Sequence, residues 1–204
     1  MASRHSHEPG LVVLAGPVPR SELVMAAVDL LLRAADIRPA DLEAVMATRG
    51  PGSFTGIRVS LATAQGLAEA LRVPARGVSS LLVQAARCEN AEVLAAQPAR
   101  RGFVYVQPFR CTAPLPEALA DPEVRSIGEL AHSPLPVVAP PGLELSPDTP
   151  RAITRCGSAE ALLNLASLAA ASGVETLAPI YVEASPAKPP ARPSRPWPPS
   201  PKAT

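Results

Sequence analysis

The sequence Arg49-Gly50-Pro51-Gly52-Ser53-Phe54-Thr55-Gly56-Ile57-Arg58 is the most informative stretch of this 204-residue chain. It joins a short apolar run, Leu42–Thr48, to a long apolar stretch that ends near Leu71. A glycine-rich turn between a buried strand and a helix gathers backbone N–H groups at the positive end of the helix dipole, which suits an anion. The stretch therefore predicts a strand–turn–helix unit. It leaves two uses of the turn open: a structural bend, or a phosphate cradle formed by Gly50, Gly52, Ser53 and Thr55.

The turn differs from the common phosphate-binding loops. Ile57 follows Gly56, where a P-loop has a lysine and then a serine or threonine to reach phosphates and Mg²⁺. The three glycines also lack the spacing of the dinucleotide-binding loop. Arg49 and Arg58 would add positive charge to an anion site. The pattern favours the structural bend and keeps the phosphate cradle as the alternative.

The helix predicted after the turn, Thr55–Leu71, is apolar on nearly all sides. Small residues recur every four positions in two rows, one formed by Gly56, Ser60, Ala64 and Ala68 and the other by Ala62, Gly66 and Ala70. Small side chains at this spacing allow a second helix to approach closely. A helix without a polar face is buried on all sides. Either its own lobe or a partner therefore covers it.

Working outward, the flanking segments alternate between helix and strand. Ser21–Asp36 has apolar residues at helical spacing, Val73–Val78 reads as a strand, and Ser79 or Ser80 opens a helix to about Cys88. This alternation predicts parallel strands joined by crossover helices, so the fold class is α/β. We expect an N-terminal lobe over residues 1–97 that contains the helices 21–36 and 55–71.

The second half of the chain is less regular. We expect a pair of strands at Ala91–Ala96 and Phe103–Phe109, loops with a short helix near Glu117 over residues 113–150, a helix at Ser158–Ala171 and a strand at Pro179–Glu183. These elements would form a C-terminal lobe over residues 98–184. Eight of the twenty residues from Ser185 to Thr204 are proline, a composition typical of a disordered tail.

Composition excludes several functional classes. The net charge of +1 argues against broad nucleic-acid wrapping, and no apolar run reaches the ~18–20 residues of a membrane helix. Three widely spaced cysteines indicate free thiols, as in a cytoplasmic protein. Three histidines, His5, His7 and His132, are too few and too scattered for a zinc site, and only His132 could serve Ser53 as a base. We therefore expect no catalytic residue and no metal site.

The residues from Gly50 to Gly56, continued by Ile57-Arg58-Val59 and Leu61–Ala68, resemble the signature of the bacterial tRNA threonylcarbamoyladenosine biosynthesis protein TsaB (YeaZ) family. The resemblance is strong over residues 21–88. That range includes Val73-Pro74 and Gly77–Leu81, and shorter similar segments follow at Arg100–Tyr105 and Pro179–Val182.

The resemblance implies a two-lobed, actin-like or Hsp70-like ATPase fold whose nucleotide site is degenerate. It also implies a non-catalytic subunit that pairs with the transferase subunit TsaD through its first two helices and recruits the ATPase TsaE. That complex modifies N6 of adenosine 37 in tRNA. The resemblance also implies that this chain contacts tRNA only through the complex. The residues that correspond to the pairing surface are Leu23, Ala27, Leu30, Gly56, Ile57, Ser60, Ala64, Leu67 and Ala68. No cofactor is implied, while a nucleotide at the subunit boundary and a homodimer without TsaD are left open.

The chain departs from the family pattern in two places. No strand with an Asp-Thr-Ser-like turn precedes Leu11, so we expect the fold to be shortened at its N-terminus. Gln97-Pro98 replaces the acidic residue usual before the arginine pair. Two alternatives therefore remain beside the family function: a degenerate ASKHA-type ATPase, or a general dimerisation module unrelated to tRNA modification.

Overall fold

The computed structural model describes residue 12 and residues 20–172 and 177–182. Strands and helices alternate in its first half, whereas a hairpin and short strands make up most of its second half. The helices of this part are α1 (Arg20–Ala34), α2 (Phe54–Leu71), α3 (Ser80–Ala85) and α4 (Ser158–Ser172). The strands are β1 (Val45–Thr48), β2 (Ala75–Val78), β3 (Glu92–Pro98), β4 (Phe103–Arg110), β5 (Glu117–Ala118), β6 (Glu123–Ser126) and β7 (Val137–Val138).

The first sheet confirms the predicted strand–helix–strand unit. β1 and β2 pair in parallel from Val45 opposite Ala75 to Thr48 opposite Val78, and α2 forms the crossover between them. β1 begins three residues later than the predicted Leu42, because Pro39–Asp41 form a 3-10 turn first. The Arg38 guanidinium holds this turn through hydrogen bonds of 2.8 and 2.7 Å to the Asp41 carboxylate.

The second sheet is built on a long hairpin. β3 and β4 pair antiparallel from Glu92 opposite Arg110 to Pro98 opposite Val104, which confirms the predicted pair of strands. The strand order is β5-β4-β3-β7, with β6 also pairing with β4 and with β7 parallel to β3. This hairpin crosses the expected lobe boundary at residues 97 and 98, so a division between the sheets has to precede Glu92.

β3 is covered on both faces. Val93 and Ala95 point into a cluster with Leu81 and Phe109, while Leu94 and Ala96 belong to a second cluster around Leu130. Alternate residues of a strand face opposite sides of its sheet, so a strand buried on both sides is apolar throughout. α3 provides much of the cover on the first face, and the 3-10 turn Ile127–His132 provides cover on the other.

Several sequence predictions of local structure were wrong. Glu117 lies in the short strand β5 and not in a helix, and residues 113–150 contain three short strands and a 3-10 turn. Strands of two to four residues are too short to show a period, and they form here because β3 and β4 offer partners. The expected strand at Pro179–Glu183 is absent over residues 179–182, and Glu183 lies outside the described residues. α3 ends at Ala85, earlier than the predicted Cys88, whereas α4 confirms the predicted helix from Ser158.

Two predictions lie outside the described residues. They are the apolar run Leu11–Leu14, apart from Val12, and the proline-rich segment 185–204. Within the described ranges, the helices are too short or too polar for one of them to cross a membrane.

Candidate functional site

The glycine-rich turn is fixed by contacts that require glycine at its first position. Gly50 is buried with φ of +96° and is joined to Pro51 by a cis peptide bond. A Cβ at Gly50 would lie 2.6 Å from Ile57 Cδ1 and 3.2 Å from the carbonyl oxygen of Ile180. The Gly50 carbonyl also accepts a hydrogen bond of 2.8 Å from the N–H of Ser80, which ties the turn to the start of α3.

Ser53 ends the turn and begins α2. Its Oγ accepts a hydrogen bond of 3.3 Å from the Gly56 N–H, which is the usual N-cap arrangement for serine. A Cβ at Gly56 would lie 3.4 Å from both Cβ and Oγ of Ser53, an ordinary contact distance, so this cap does not depend on glycine. The hydroxyl of Ser53 is therefore engaged in holding the helix.

A cavity of about 430 Å³ opens beside this turn. The first turns of α2, α3 and α4 all reach it, through Ser53, Ser80 and Ser158. Its remaining polar wall consists of uncharged side chains, Thr48, Gln84 and Gln97. Sequence reasoning did not find Gln84 or Ser158. The available signal was that serines open both α3 and α4 after turns, as N-cap residues do.

The proposed phosphate cradle is only partly assembled at this cavity. Gly52 and Ser53 line it, whereas Gly50 and Thr55 do not. The two arginines that would add charge also lie away from the wall: Arg49 Nη1 donates to the Ala178 carbonyl at 3.3 Å, and Arg58 stacks on the Phe54 ring at 3.9 Å. Among the described residues the lining has no acidic or basic side chain. Because its lining carries no charge, the cavity suits a neutral polar ligand better than a phosphate, which would need a positive charge in the wall.

The two faces of α2 differ in a way that corrects the expected pairing surface. Ile57, Leu61, Ala64 and Ala68 are buried, and the first three pack against Ala47 of β1. Three residues assigned to the partner, Ile57, Ala64 and Ala68, are thus occupied by the chain's own core. Of the other three, Gly56 is exposed, and Ser60 and Leu67 are half-buried. The sequence carried a sign of this orientation, since Arg58, Gln65 and Glu69 follow one side of α2 at helical spacing and all three are exposed.

The second small-residue row of α2 lies on the opposite, solvent-facing side. Ala62, Gly66 and Ala70 are all exposed. A Cβ added at Gly66 would meet no atom within 4 Å, so the space above this row is open. This row, and not the row through Ala64, is free to receive another helix.

α1 lies beside α2 and is apolar along most of its length. None of its residues from Glu22 to Ala34 is buried. Leu23 and Ala27 are half-buried, while Met25 and Leu30 are 49% and 57% exposed. All three α1 residues of the expected pairing surface are therefore at least partly accessible.

An exposed aromatic pair lies near the start of α2. The rings of Phe54 and Tyr181 are 6.2 Å apart, and Arg58 covers the Phe54 ring. Phe54 is 49% and Tyr181 54% exposed, so the pair forms part of the surface next to the cavity. The two residues lie far apart in sequence, which is why sequence analysis did not join them.

Comparisons with known proteins find similarity to two kinds of protein in tRNA threonylcarbamoyladenosine synthesis, TsaD-type transferases and TsaB. The family model described as "TsaD: tRNA N6-adenosine threonylcarbamoyltransferase" matches residues 19–187. The chain is 41% identical over 83 residues to the tRNA threonylcarbamoyladenosine biosynthesis protein TsaB of Bacillus subtilis (strain 168). It is 39% identical over 93 residues to the protein of the same name from Escherichia coli (strain K12).

The extent of these matches differs. The two aligned segments cover 40% and 44% of this chain but only 36% and 40% of the two relatives. The solved structure described as YeaZ from Pseudomonas aeruginosa matches over 81% of this chain and 85% of that one, with a TM-score of 0.63 and 28% identity. The shared backbone confirms the predicted α/β fold beyond the segment in which sequence similarity is strong.

Proposed function

The chain belongs to the TsaB/YeaZ family, within the group that the TsaD-type model covers, and from that membership we propose that it is a non-catalytic subunit of the tRNA N6-threonylcarbamoyladenosine machinery. Its partner is a TsaD-like transferase subunit. The pairing surface consists of α1 together with the exposed row of α2, Ala62, Gly66 and Ala70. We call this the α1/α2 face.

The observation that carries the proposal is the exposure of α1. A helix in a folded domain normally buries one apolar stripe, yet no residue of α1 between Glu22 and Ala34 is buried. Fully burying a leucine-sized side chain stabilises a protein or complex by about 1.5–3 kcal/mol. The exposed Met25 and Leu30 therefore leave free energy available to a partner that covers them.

The exposed row of α2 supplies the geometry for such a partner. Alanine and glycine keep the helix surface flat, so a second helix can approach the backbone closely. Larger side chains in this row would hold the two helices apart. The apolar α1 and the flat α2 are neighbours, so one partner could cover both.

The uncharged cavity supports a role without catalysis. Hydrolysis or transfer chemistry at a nucleotide needs groups that move protons or hold a metal, and these are carboxylates, histidines or cysteines in most enzymes. Over the described residues, the cavity beside the glycine-rich turn is lined by serines, glutamines, a threonine and apolar residues. In this proposal the chain holds the transferase subunit in its active conformation by binding that conformation more tightly.

Further roles follow from the same family membership and form part of the proposal. They are cytoplasmic location, contact with a TsaE-like ATPase, contact with tRNA only through the complex, and self-association through the α1/α2 face when TsaD is absent. A nucleotide bound at the boundary between subunits is a separate hypothesis.

The proposal is tested by measuring the affinity for a TsaD-like subunit in single variants. Gly66→Leu places a bulky side chain on the exposed row, and Leu30→Asp places a charge on α1. Each should weaken binding tenfold to a hundredfold, since overpacking or charge burial costs about 1–3 kcal/mol at an interface. Leu163→Asp on α4, where Leu163 is 43% exposed, is the matched control and should bind normally.

Thermal unfolding of the same proteins separates pairing from folding. Gly66→Leu and Leu30→Asp should unfold near the temperature of the parent chain, because both sites face solvent. Ala64→Leu should instead lower the unfolding temperature, since Ala64 is 4% exposed and packs on β1. Stable Gly66→Leu and Leu30→Asp variants that bind with the parent affinity would overturn the proposed α1/α2 face.

A further inference from the structure

A second site is indicated by Arg87, the one buried cationic side chain among the described residues. Arg87 follows α3 and is 8% exposed. Its Nε donates to the Cys156 carbonyl at 3.2 Å, and its Nη1 donates to the Ala139 carbonyl at 3.0 Å and to Gln84 Oε1. The guanidinium thus joins three separate segments of the chain.

All three acceptors of Arg87 are neutral. A guanidinium keeps its charge at any ordinary pH, and neutral acceptors satisfy its hydrogen bonds without cancelling that charge. A charge removed from water is costly unless an opposite charge compensates it. In the described part of the chain, Arg87 forms no ion pair, whereas Arg33 and Arg38, which do, are exposed.

A cavity of about 250 Å³ lies against Arg87. Arg151 also lines it, and Arg151 Nη2 donates to the Leu145 carbonyl at 3.3 Å. The carboxylates nearest in sequence, Glu89 to Arg87 and Asp148 to Arg151, are exposed and make no ion pair with either arginine within the described ranges. Two positive charges therefore share a small concave space without a counter-ion from those ranges.

We propose that this cavity, bounded by Arg87, Arg151 and the segment Val137–Leu145, binds a phosphate group. The free donors of two arginines match the several oxygens of one phosphate, and such charge-assisted hydrogen bonds are the strong ones. The volume holds one phosphate with a few waters, at about 30 Å³ per water. The surrounding Val137, Val138 and Leu143 lower the local polarity and strengthen the attraction between opposite charges.

The site shares no lining residue with the α1/α2 face or with the polar cavity beside Ser53, although Gln84, which lines that cavity, accepts a hydrogen bond from Arg87. Its lining comes from the end of α3 and from the loops that follow the second sheet. A competing interpretation is that Arg87 serves only to hold Gln84, Ala139 and Cys156 in place through its hydrogen bonds. The two interpretations differ in whether phosphate binds at all and in whether Arg151 affects the binding.

The test titrates inorganic phosphate into the full chain at constant ionic strength, by calorimetry and by thermal unfolding. Ligand that binds only the folded state raises its stability with concentration, so the unfolding temperature should rise and approach saturation. Arg151→Gln should weaken phosphate binding about tenfold, which corresponds to about 1.4 kcal/mol. Arg101→Gln removes the same charge from the exposed β3–β4 turn and should leave binding unchanged.

Arg87→Met should abolish the binding, but it also removes three structural hydrogen bonds, so the decision rests on Arg151→Gln. Comparison with adenosine monophosphate identifies the source of the phosphate: tighter binding than inorganic phosphate indicates a nucleotide, and equal binding indicates the free ion. The proposal is overturned if phosphate causes no shift, if Arg151→Gln responds like Arg101→Gln, or if acetate stabilises the chain as well as phosphate does.

Discussion

α1 and β3 are both rich in apolar residues, yet the structure buries them to opposite extents. Val93, Ala95 and Ala96 of β3 are fully buried, and the strand is covered on both faces. In α1, no residue from Glu22 to Ala34 is buried. Apolar content is therefore a poor guide to burial in this chain: β3 lies inside a sheet covered on both faces, whereas the described part of the chain covers only one side of α1, and that side incompletely.

The difference separates two uses of hydrophobic side chains. The hairpin region stabilises the fold, since its side chains leave water when the chain folds. The outer side of α1 contributes little to folding, and in the proposed complex its side chains contact the partner. Substitutions should therefore act on unfolding in one region and on association in the other.

The largest difference in the effect of a substitution on the free energy of unfolding is expected between Leu130 and Leu30. Leu130 is fully buried beneath β3 and β4, so Leu130→Ala should lower the free energy of unfolding by about 2–5 kcal/mol. Leu30 is 57% exposed, so Leu30→Ala should change it by less than about 0.5 kcal/mol. Urea unfolding of both variants measures the difference. A large loss for Leu30→Ala would mean that α1 is part of the folding core.

The next contrast concerns two glycines at opposite ends of the α2 region. Gly50→Ala should destabilise the chain by about 1–3 kcal/mol, because alanine is strained at φ of +96° and its Cβ would meet Ile57 Cδ1 at 2.6 Å. Gly66→Ala should stabilise it by about 0.5–1 kcal/mol, because Gly66 is helical with open space around it.

Thermal unfolding of the Gly50→Ala and Gly66→Ala chains tests the opposite signs directly. If Gly66→Ala also destabilised the chain, the exposed row of α2 would not be open in solution. Self-association through this row would explain that result, and a measurement of molecular mass on the same samples would detect it.

Much of the first sheet was predictable from the sequence. Glycine and proline at 50–52 mark the end of β1, and the polar residues around Ser79 mark the start of α3. The hairpin was predictable for the same reason, since Pro98 and Gly102 bracket its turn. These signals are local and act over a few residues, so they survive without knowledge of the tertiary structure.

The orientation of α2 was predictable, because the polar residues Arg58, Gln65 and Glu69 recur at helical spacing and mark its exposed side. The site at Arg87 was not predictable. Arg87 and Arg151 are 64 positions apart in the numbering and meet only because the loop after β7 folds against the end of α3. Contacts of this kind depend on the whole fold.

A smaller, pH-dependent change in the free energy of unfolding is expected from the cysteine thiols. Burial raises the pKa of Cys88 to about 12 and also raises the pKa values of Cys111 and Cys156. An unfolded thiol ionises near pH 9, whereas the folded Cys88 stays protonated, so the folded state binds protons more tightly. Stability from this source is complete below pH 9 and is lost as the pH rises from about 9 toward 12.

Urea unfolding at pH 8 and pH 10 measures that loss. It should be at most about 1 kcal/mol per pH unit for each thiol and smaller in Cys88→Ala. Thiol labelling at pH 8 offers an independent check, since Cys88 should react only when the chain unfolds. Rapid labelling of Cys88 in the folded chain would contradict its burial at 2% exposure.

The smallest effect is expected on the surface of α1. Arg33 Nε donates to Asp29 Oδ2 at 2.8 Å, one helical turn away, and the two side chains are 79% and 62% exposed. Water and salt screen such a pair, so Asp29→Asn should lower the free energy of unfolding by less than about 0.5 kcal/mol. Glu92→Gln, next to Arg110 on the edge of the hairpin at 3.4 Å, is the matched control in the other region. Both substitutions should have similarly small effects, because exposure and not location in the fold limits a surface ion pair. If Asp29→Asn lost more than about 1 kcal/mol while Glu92→Gln did not, α1 would be held in place by its charges, and its apolar side would not be freely available to a partner.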